Sequence, residues 1–141
     1  MKLHLANTRN SHSFTAYGPG YLAVNGIRHE HSLLVFPDIP TEEWPVTAFA
    51  ALSAADAAKL LEHRPEIVIF GTGPQQLMPG QELLRVFAGS GIGFEVMATP
   101  AGCRTFNILA AEGRRVLGAM LLPGSAPAVF PPPQARTAPA A

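Results

Sequence analysis

A glycine turn after the most apolar run of the chain is the strongest candidate for a chemically active site. Residues 67–70 are Ile, Val, Ile and Phe, and Gly71-Thr72-Gly73-Pro74 follows directly. Such a run is typical of a strand buried on both faces, and open α/β sheets hold ligands at the carboxyl ends of central strands. Backbone N–H groups of the turn, with the side chains of Thr72 and Gln75, could hold a small anion or polar ligand.

The motif formed by this turn is weak, so a structural role competes with a ligand-binding role. Gln76 stands where a dinucleotide fingerprint has its third glycine, and the Gly-Lys-Ser/Thr of a phosphate-binding loop does not follow. The structural alternative is a tight turn that only lets the strand and the next helix pack together. The sequence leaves both interpretations open.

A second set of residues surrounds the third predicted helix and could line the same crevice. Its members are Met97, Thr99, Thr105, Asn107, Glu112 and Arg114. Asn107 is unfavourable among apolar neighbours in the middle of a helix, so it either faces solvent or makes a specific buried hydrogen bond. A ligand site would require Asn107, and with it Arg114, to converge on the glycine turn.

One cysteine and one pair of histidines are the remaining candidates for chemistry. Cys103 falls about one turn into a predicted helix, where the helix N-terminus and Arg104 could lower the thiol pKa; a buried small side chain is the alternative. His29 and His31 share one face of a predicted strand and could present two imidazoles to a metal, or could simply be solvated. Because no third ligand and no nucleophile–base pair are defined, the sequence predicts no metal site, no catalytic residue and no cofactor.

The composition restricts the classes of function. The chain has 141 residues, of which 48% are hydrophobic and 14% charged, with zero formal net charge. These values predict one domain with a substantial core and argue against a nucleic-acid-binding protein, which normally has a basic surplus. No apolar stretch reaches the ~18 residues that span a bilayer, and the first residues resemble neither a signal peptide nor a transit peptide. With a single cysteine, the chain is expected in the cytoplasm, without direct membrane insertion.

The first half of the chain carries signals for strands. Residues 14–17 predict a short extended piece. Residues 21–24 and an arm over 27–36 flank Asn25-Gly26, the residue pair typical of a type I′ hairpin turn. A further short edge strand is predicted at 44–46.

The second half alternates strands with helices. Predicted helices begin with Ser53 as N-cap, Pro79 as first helical residue and Thr99 as N-cap. Right-handed crossovers would make the three strands of this half parallel, and the hairpin strands would either complete a mixed sheet or form a small second layer. The predicted fold is a single α/β domain over residues 1–122 with helices on its faces. A disordered tail rich in Pro and Ala is predicted over 123–141.

Three ordered motifs, at 67–76, 93–99 and 104–116, resemble the family of the mitochondrial NADH dehydrogenase (complex I) assembly factor 3 and its small uncharacterised bacterial and archaeal relatives. The resemblance covers about residues 10–122. It implies a single three-layer domain with a mixed central sheet and an N-terminal β-hairpin portion, and it implies no established catalytic activity. The matching positions, which the resemblance places around one pocket, are Gly71, Thr72, Gly73, Met97, Thr99, Thr105, Asn107, Glu112 and Arg114.

Three hypotheses for function follow. The first is a non-enzymatic binding or assembly protein with an unknown protein partner, a client in a membrane complex among the options. The second is an enzyme or sensor that binds a small molecule or anion at the glycine turn. Its candidate binding residues are Gly71, Thr72, Gly73, Gln75, Met97, Thr99, Asn107 and Arg114. In the third, these residues only hold the fold together, with Asn107 bonded to the backbone of the turn.

Overall fold

The computed structural model describes residues 11–124, which fold into two β-sheets and three α-helices. The strands are β1 (Phe14–Gly18), β2 (Tyr21–Val24), β3 (Ile27–His29), β4 (Leu33–Val35), β5 (Glu42–Glu43), β6 (Ile67–Gly71), β7 (Gly93–Met97) and β8 (Val116–Met120). The helices are α1 (Ala54–Leu61), α2 (Gln81–Ala88) and α3 (Thr99–Ala111), with a 3₁₀ turn at Phe49–Ala51. Residues 1–10 of the predicted domain and 125–141 of the predicted tail lie outside the described residues.

The central sheet is mixed, as predicted. Its five strands lie in the order β5-β4-β8-β6-β7. Strand β6 pairs in parallel with β7 and with β8, whereas β4 pairs antiparallel with β8 and with β5. The apolar run therefore occupies an interior strand, which explains why Val68, Ile69 and Phe70 are fully buried.

Alternation along β6 divides the core into two clusters, one on each face of the central sheet. Val68 and Phe70 belong to the cluster beneath α1 and α2, whereas Ile69 belongs to the cluster beneath α3 and the three-stranded sheet β1-β2-β3. Successive strand side chains point to opposite faces, so one strand serves both clusters. The result is the predicted three-layer α/β architecture.

The N-terminal hairpin forms at the predicted position, but its second arm is shorter than predicted. Asn25 and Gly26 both adopt positive φ, at 49° and 82°, as a type I′ turn requires. The predicted arm over 27–36 is wrong, because β3 ends at His29 and β4 leaves the hairpin to pair with β8. Each residue of β4 is buried, since its alternate side chains enter the two core clusters.

Three other predicted boundaries are displaced. The predicted strand at 44–46 lies instead at Glu42–Glu43, where β5 pairs with β4. Helix α2 begins at Gln81 after the N-cap Gly80, two residues later than the predicted start at Pro79. The N-cap of α3 is Ala98, and Thr99 is the first helical residue.

Helix α1 begins as predicted, with Ser53 as N-cap. The Asp56 N–H donates to Ser53 Oγ at 3.1 Å, and the Ser53 N–H donates to the Asp56 carboxylate at 3.0 Å. This reciprocal capping box satisfies N–H groups that the first turn of a helix leaves without partners. None of the helices in the described part of the chain has the length and apolar character needed to span a bilayer.

Candidate functional site

The glycine turn lies at the carboxyl end of β6, and its backbone donors are bonded within the protein. The Thr72 N–H donates to the Met97 carbonyl at 2.8 Å, and the Gly73 N–H donates to Thr99 Oγ1 at 2.8 Å. The Thr72 hydroxyl donates to the Gln75 carbonyl inside the same turn. The two backbone N–H groups that an anion would bind here are therefore already engaged.

Thr99 links the ends of three elements through one buried hydroxyl. Its side chain is fully buried, and Oγ1 donates to the Leu121 carbonyl at 2.7 Å while it accepts from the Gly73 N–H. The Thr99 N–H also donates to the Gly73 carbonyl at 2.8 Å. This hydroxyl therefore connects the segment after β8 with the turn after β6.

Close packing of α3 on the sheet explains two glycines near the turn. A Cβ at Gly71 would lie 2.6 Å from Met120 Sδ and 2.7 Å from Thr99 Oγ1. A Cβ at Gly102 would lie 3.1 Å from the same sulfur. Position 73 favours glycine for another reason: its φ is +104°, which L side chains rarely adopt. We refer to Gly71, Thr72, Gly73 and Thr99 below as the buried joint.

Asn107 does not lie in the buried joint. Its Oδ1 accepts from the Phe14 N–H and its Nδ2 donates to the Phe14 carbonyl, both at 2.8 Å. Of the two possibilities from the sequence, the specific hydrogen bond is correct, but the partner is the backbone of β1. Asn107 therefore attaches α3 to the three-stranded sheet, and its predicted position beside the glycine turn is wrong.

Arg114 lies at the opposite end of β6. Its Nε donates to Glu66 Oε1 at 3.2 Å, and both side chains are more than 40% exposed. The Arg114 hydrogen bond, followed by that from the Arg115 N–H, holds the pKa of Glu66 below its usual value. At ~3.3 Å per residue, a five-residue strand separates this pair from Gly71 by about 16 Å. The predicted convergence of Arg114 with the turn is therefore wrong.

Of the four remaining predicted residues, Met97 and Gln75 lie at the glycine turn, and Thr105 and Glu112 lie on or at the end of α3. Met97 is half-buried and its carbonyl accepts from Thr72, so it borders the buried joint. Gln75 is exposed, and only its carbonyl bonds to Thr72. Thr105 lies half-buried on α3, and Glu112 is exposed at its end.

Cys103 is a buried core residue. Burial raises the pKa of its thiol to about 12, and the opposing effect of the Arg104 charge is smaller. Of the two interpretations from the sequence, the buried small side chain agrees with the structure, because α3 turns Cys103 into the core cluster beneath it. A reactive thiolate therefore has no support from the structure.

Within residues 11–124, the two histidines considered as metal ligands are not part of a three-ligand cluster. His31 Nε2 lies 3.5 Å from Glu43 Oε2, and both side chains are exposed by more than 60%. His29 lies on β3 at the edge of the smaller sheet. Among residues 11–124 no three His, Cys, Asp or Glu side chains are placed to hold a metal ion.

A cleft of about 820 Å³ opens beside the buried joint. One wall is the turn and the ends of β6 and β8, and the other is the segment 44–50, with acidic residues and His31 at one side. Its lining, which defines "the cleft" below, is Glu30, His31, Ser32, Glu43, Trp44, Pro45, Thr47, Ala48, Phe49, Ala50, Thr72, Gly73, Pro74, Leu77, Leu121, Leu122 and Gly124. Of the eight candidate binding residues from the sequence, Thr72 and Gly73 line this cleft.

Sequence reasoning missed the wall formed by residues 44–50. These residues form no long helix or strand, so their periodicity gives no signal. The available signal was Trp44, the only tryptophan of the chain, next to Pro45. Trp44 is buried and packs near Phe70, with ring centroids 6.5 Å apart. It therefore fixes this wall to the core beneath the cleft.

Comparison with known proteins gives consistent matches over the described domain. The family model described as "Protein of unknown function (DUF498/DUF598)" matches residues 14–121. A crystal structure of a protein from Bordetella parapertussis has 40% sequence identity and a TM-score of 0.75, and the match covers 79% of this chain and 96% of that one. These matches agree with the three-layer fold described above.

Two curated relatives carry names that bear on function. The NADH dehydrogenase (ubiquinone) 1 alpha subcomplex assembly factor 3 of Bos taurus is 34% identical over 110 residues, which are 77% of this chain and 59% of that protein. A protein of Francisella tularensis named 13 kDa major membrane protein is 28% identical over 104 residues, or 73% of this chain and 85% of that protein. This chain therefore spans 59% of the length of the bovine factor.

Proposed function

We propose that this chain, which belongs to the family described as "Protein of unknown function (DUF498/DUF598)", is a non-enzymatic protein that binds a protein partner. The family agrees with the resemblance found in the sequence. The cleft is the binding surface in this proposal. Relatives named as complex I assembly factors support a protein partner rather than a metabolite. The observation that carries the proposal is the apolar lining of the cleft.

The cleft offers apolar surface rather than free polar groups. Trp44, Phe49, Leu121 and Leu122 contribute to its walls, and Leu77 also lines it with 42% of its surface exposed. The neighbouring Met78 is 83% exposed. Exposed apolar side chains beside a concave apolar surface are typical of protein interaction sites, where aromatic residues and Met are enriched.

The polar groups that line the cleft support binding more than catalysis. Of its lining residues, only Glu30, His31 and Glu43 carry ionisable side chains. His31 and Glu43 lie close to each other, and Glu30 pairs with Arg28 at 3.2 Å. The Thr72 N–H donates to the Met97 carbonyl of β7, and the Gly73 N–H donates to Thr99 Oγ1, so neither donor is free for a ligand.

The proposal extends to the kind of partner and its place in the cell. The names of the relatives favour a subunit of a membrane complex as client, and the single buried cysteine agrees with a reducing cytoplasm. Cell fractionation of the native protein, followed by native gel electrophoresis, tests both parts. We expect it in the cytoplasmic fraction, with a minor share that co-migrates with the membrane complex. Recovery only in washed membranes or only as free monomer would contradict this extension.

Site-specific photo-crosslinking in the cells of origin tests the binding surface. A photoreactive phenylalanine analogue at position 77 should yield a discrete protein adduct, because Leu77 lines the cleft and is 42% exposed. The matched control carries the analogue at position 108, since Ile108 is 60% exposed on α3 and does not line the cleft. Adducts at position 77 that match those at 108, or no adduct at 77, would count against the proposal.

The competing hypothesis of an anion-binding sensor has a direct test of its own. Thermal unfolding is measured against nucleotides, phosphorylated metabolites and inorganic anions. A ligand at 100 times its dissociation constant would stabilise the fold by about 2.7 kcal/mol, which gives a clear shift in melting temperature. We expect no shift. A shift that Thr72→Ala abolishes would favour the sensor.

A further inference from the structure

The chain leaves the described domain at the cleft itself. Leu121, Leu122 and Gly124 follow β8 and contribute to the cleft lining. The Gly20 N–H donates to the Gly124 carbonyl, which fixes this exit against the turn between β1 and β2. Residues 125–141 therefore begin at a point that is already part of the cleft wall.

The sequence after this exit has the chemistry of a groove-binding peptide. Residues 125–136 read Ser-Ala-Pro-Ala-Val-Phe-Pro-Pro-Pro-Gln-Ala-Arg. Val129 and Phe130 are its large apolar residues, and three consecutive prolines follow. Proline-rich segments favour polyproline II, lose little entropy on binding, and dock on grooves lined by aromatic side chains. The cleft contains two such side chains, Trp44 and Phe49.

The charges of the cleft and of this segment are complementary. The cleft lining contains no Lys or Arg and includes two exposed carboxylates, Glu30, which also pairs with Arg28, and Glu43, which lies 3.5 Å from His31. Residues 125–141 contain one charged side chain, Arg136. Phe130 is six residues from Gly124, so at ~3.1 Å per residue it can reach about 19 Å from the exit. A cleft of about 820 Å³ has the size of sites that accommodate a few side chains.

We propose that the occupant of the cleft is the chain's own segment 125–136, with Phe130 against the apolar wall and Arg136 toward the acidic side. The segment alone has too few apolar residues to form a core, so its apolar side chains gain burial only against the folded domain. A tethered segment also acts at a high effective concentration. It therefore competes with any partner that uses the same cleft.

The first test compares amide spectra of isotope-labelled full-length variants. Phe130→Ala should shift the resonances of cleft residues such as Ala48, Leu77 and Leu122, because it removes the main apolar contact of the segment. The matched control Pro139→Ala changes the same terminal region outside residues 125–136 and should leave those resonances in place. Identical cleft resonances in wild type and Phe130→Ala would overturn the proposal.

The second test places a spin label on the segment of the full-length chain. The thiol of Gln134→Cys can be labelled selectively, since Cys103 is buried and therefore protected from the reagent. The label should broaden amides of the cleft and leave those near Ile27 and Ile108 sharp. In a mixture of labelled chain without isotope and isotope-labelled chain without spin label, the cleft amides should stay sharp.

Two other outcomes of the spin-label experiment would overturn the proposal that segment 125–136 occupies the cleft of its own chain. Broadening in the mixture would mean that the segment enters the cleft of a second copy. Absence of broadening at the cleft in the labelled chain would mean that the segment lies elsewhere. In that last case the cleft remains open to a partner, so the crosslinking experiment at position 77 still decides the proposed function independently.

Discussion

The two ends of β6 show how differently the same strand contributes to stability and to the candidate site. At its carboxyl end, the buried joint contains no ionised group, and its hydrogen bonds connect the ends of β6 and β8 with α3. At its amino end, Glu66 pairs with Arg114, and their side chains are 42% and 44% exposed. Solvent screens such an exposed pair, so it contributes little to stability. A buried donor or acceptor that loses its hydrogen-bond partner, in contrast, destabilises the fold. The uncharged end is therefore expected to contribute more to stability than the charged end, and it also borders the cleft.

Gly71→Ala, at the carboxyl end of β6, is expected to cause the largest loss in the free energy of unfolding. Its added Cβ would lie 2.6 Å from Met120 Sδ, 2.7 Å from Thr99 Oγ1 and 3.0 Å from Thr99 Cα. Because one of these contacts is with backbone, α3 would have to move away from the sheet. We expect a loss of about 3 kcal/mol in the free energy of unfolding, measured by urea denaturation.

Gly89→Ala provides the matched control for that substitution. Gly89 ends α2 with a φ of −94°, and a Cβ there would meet nothing within 4 Å. Its unfolding free energy should stay the same or rise by less than about 1 kcal/mol. Equal losses in the two alanine variants would show that close packing at Gly71 is not the cause.

Thr99→Val should have the next largest effect, because it keeps the shape of the side chain and removes the shared hydroxyl. The Leu121 carbonyl and the Gly73 N–H would lose their partner in a buried environment. We expect a loss of about 2 kcal/mol by urea denaturation. Thr99→Ser retains the hydroxyl and should recover most of that loss. A serine variant as unstable as the valine variant would assign the effect to packing of the methyl group.

Glu66→Gln should have the smallest effect, and the effect should depend on pH. The hydrogen bonds from Arg114 and Arg115 hold the pKa of Glu66 in the folded state below its ordinary value of 4.5. A lowered folded pKa stabilises the fold above the ordinary value, and this contribution is lost as the pH falls through the folded pKa. The difference in urea midpoint between wild type and Glu66→Gln should therefore be small at pH 7 and should disappear at low pH. A difference that grows on acidification would contradict this explanation.

The sequence predicted the elements that have strong local signals. An uninterrupted apolar run identified β6, and Asn25-Gly26 identified the hairpin turn. The end of β3 was missed because no Gly or Pro marks residues 30–32. Pairing of β4 with β8, more than eighty residues later, decides that boundary. Local patterns carry no information about such long-range pairing.

The candidate site was also predictable only in part. The family resemblance placed Gly71, Met97 and Thr99 around one pocket; in the structure they are neighbours at the carboxyl ends of β6 and β7, but none of them lines the cleft. The partner of Asn107 is Phe14, 93 residues away on the other sheet, which no local pattern specifies. The wall at 44–50 is irregular, so only its position against the core reveals its place in the cleft.

Amide hydrogen exchange at Thr72 and Gly73, with and without inorganic phosphate, tests most directly whether the buried joint is structural. Both N–H groups are bonded within the protein, so we expect slow exchange and no change in either resonance on addition of phosphate. Rapid exchange, together with saturable shifts of both resonances in phosphate, would contradict the account. It would show that the glycine turn is an anion-binding site.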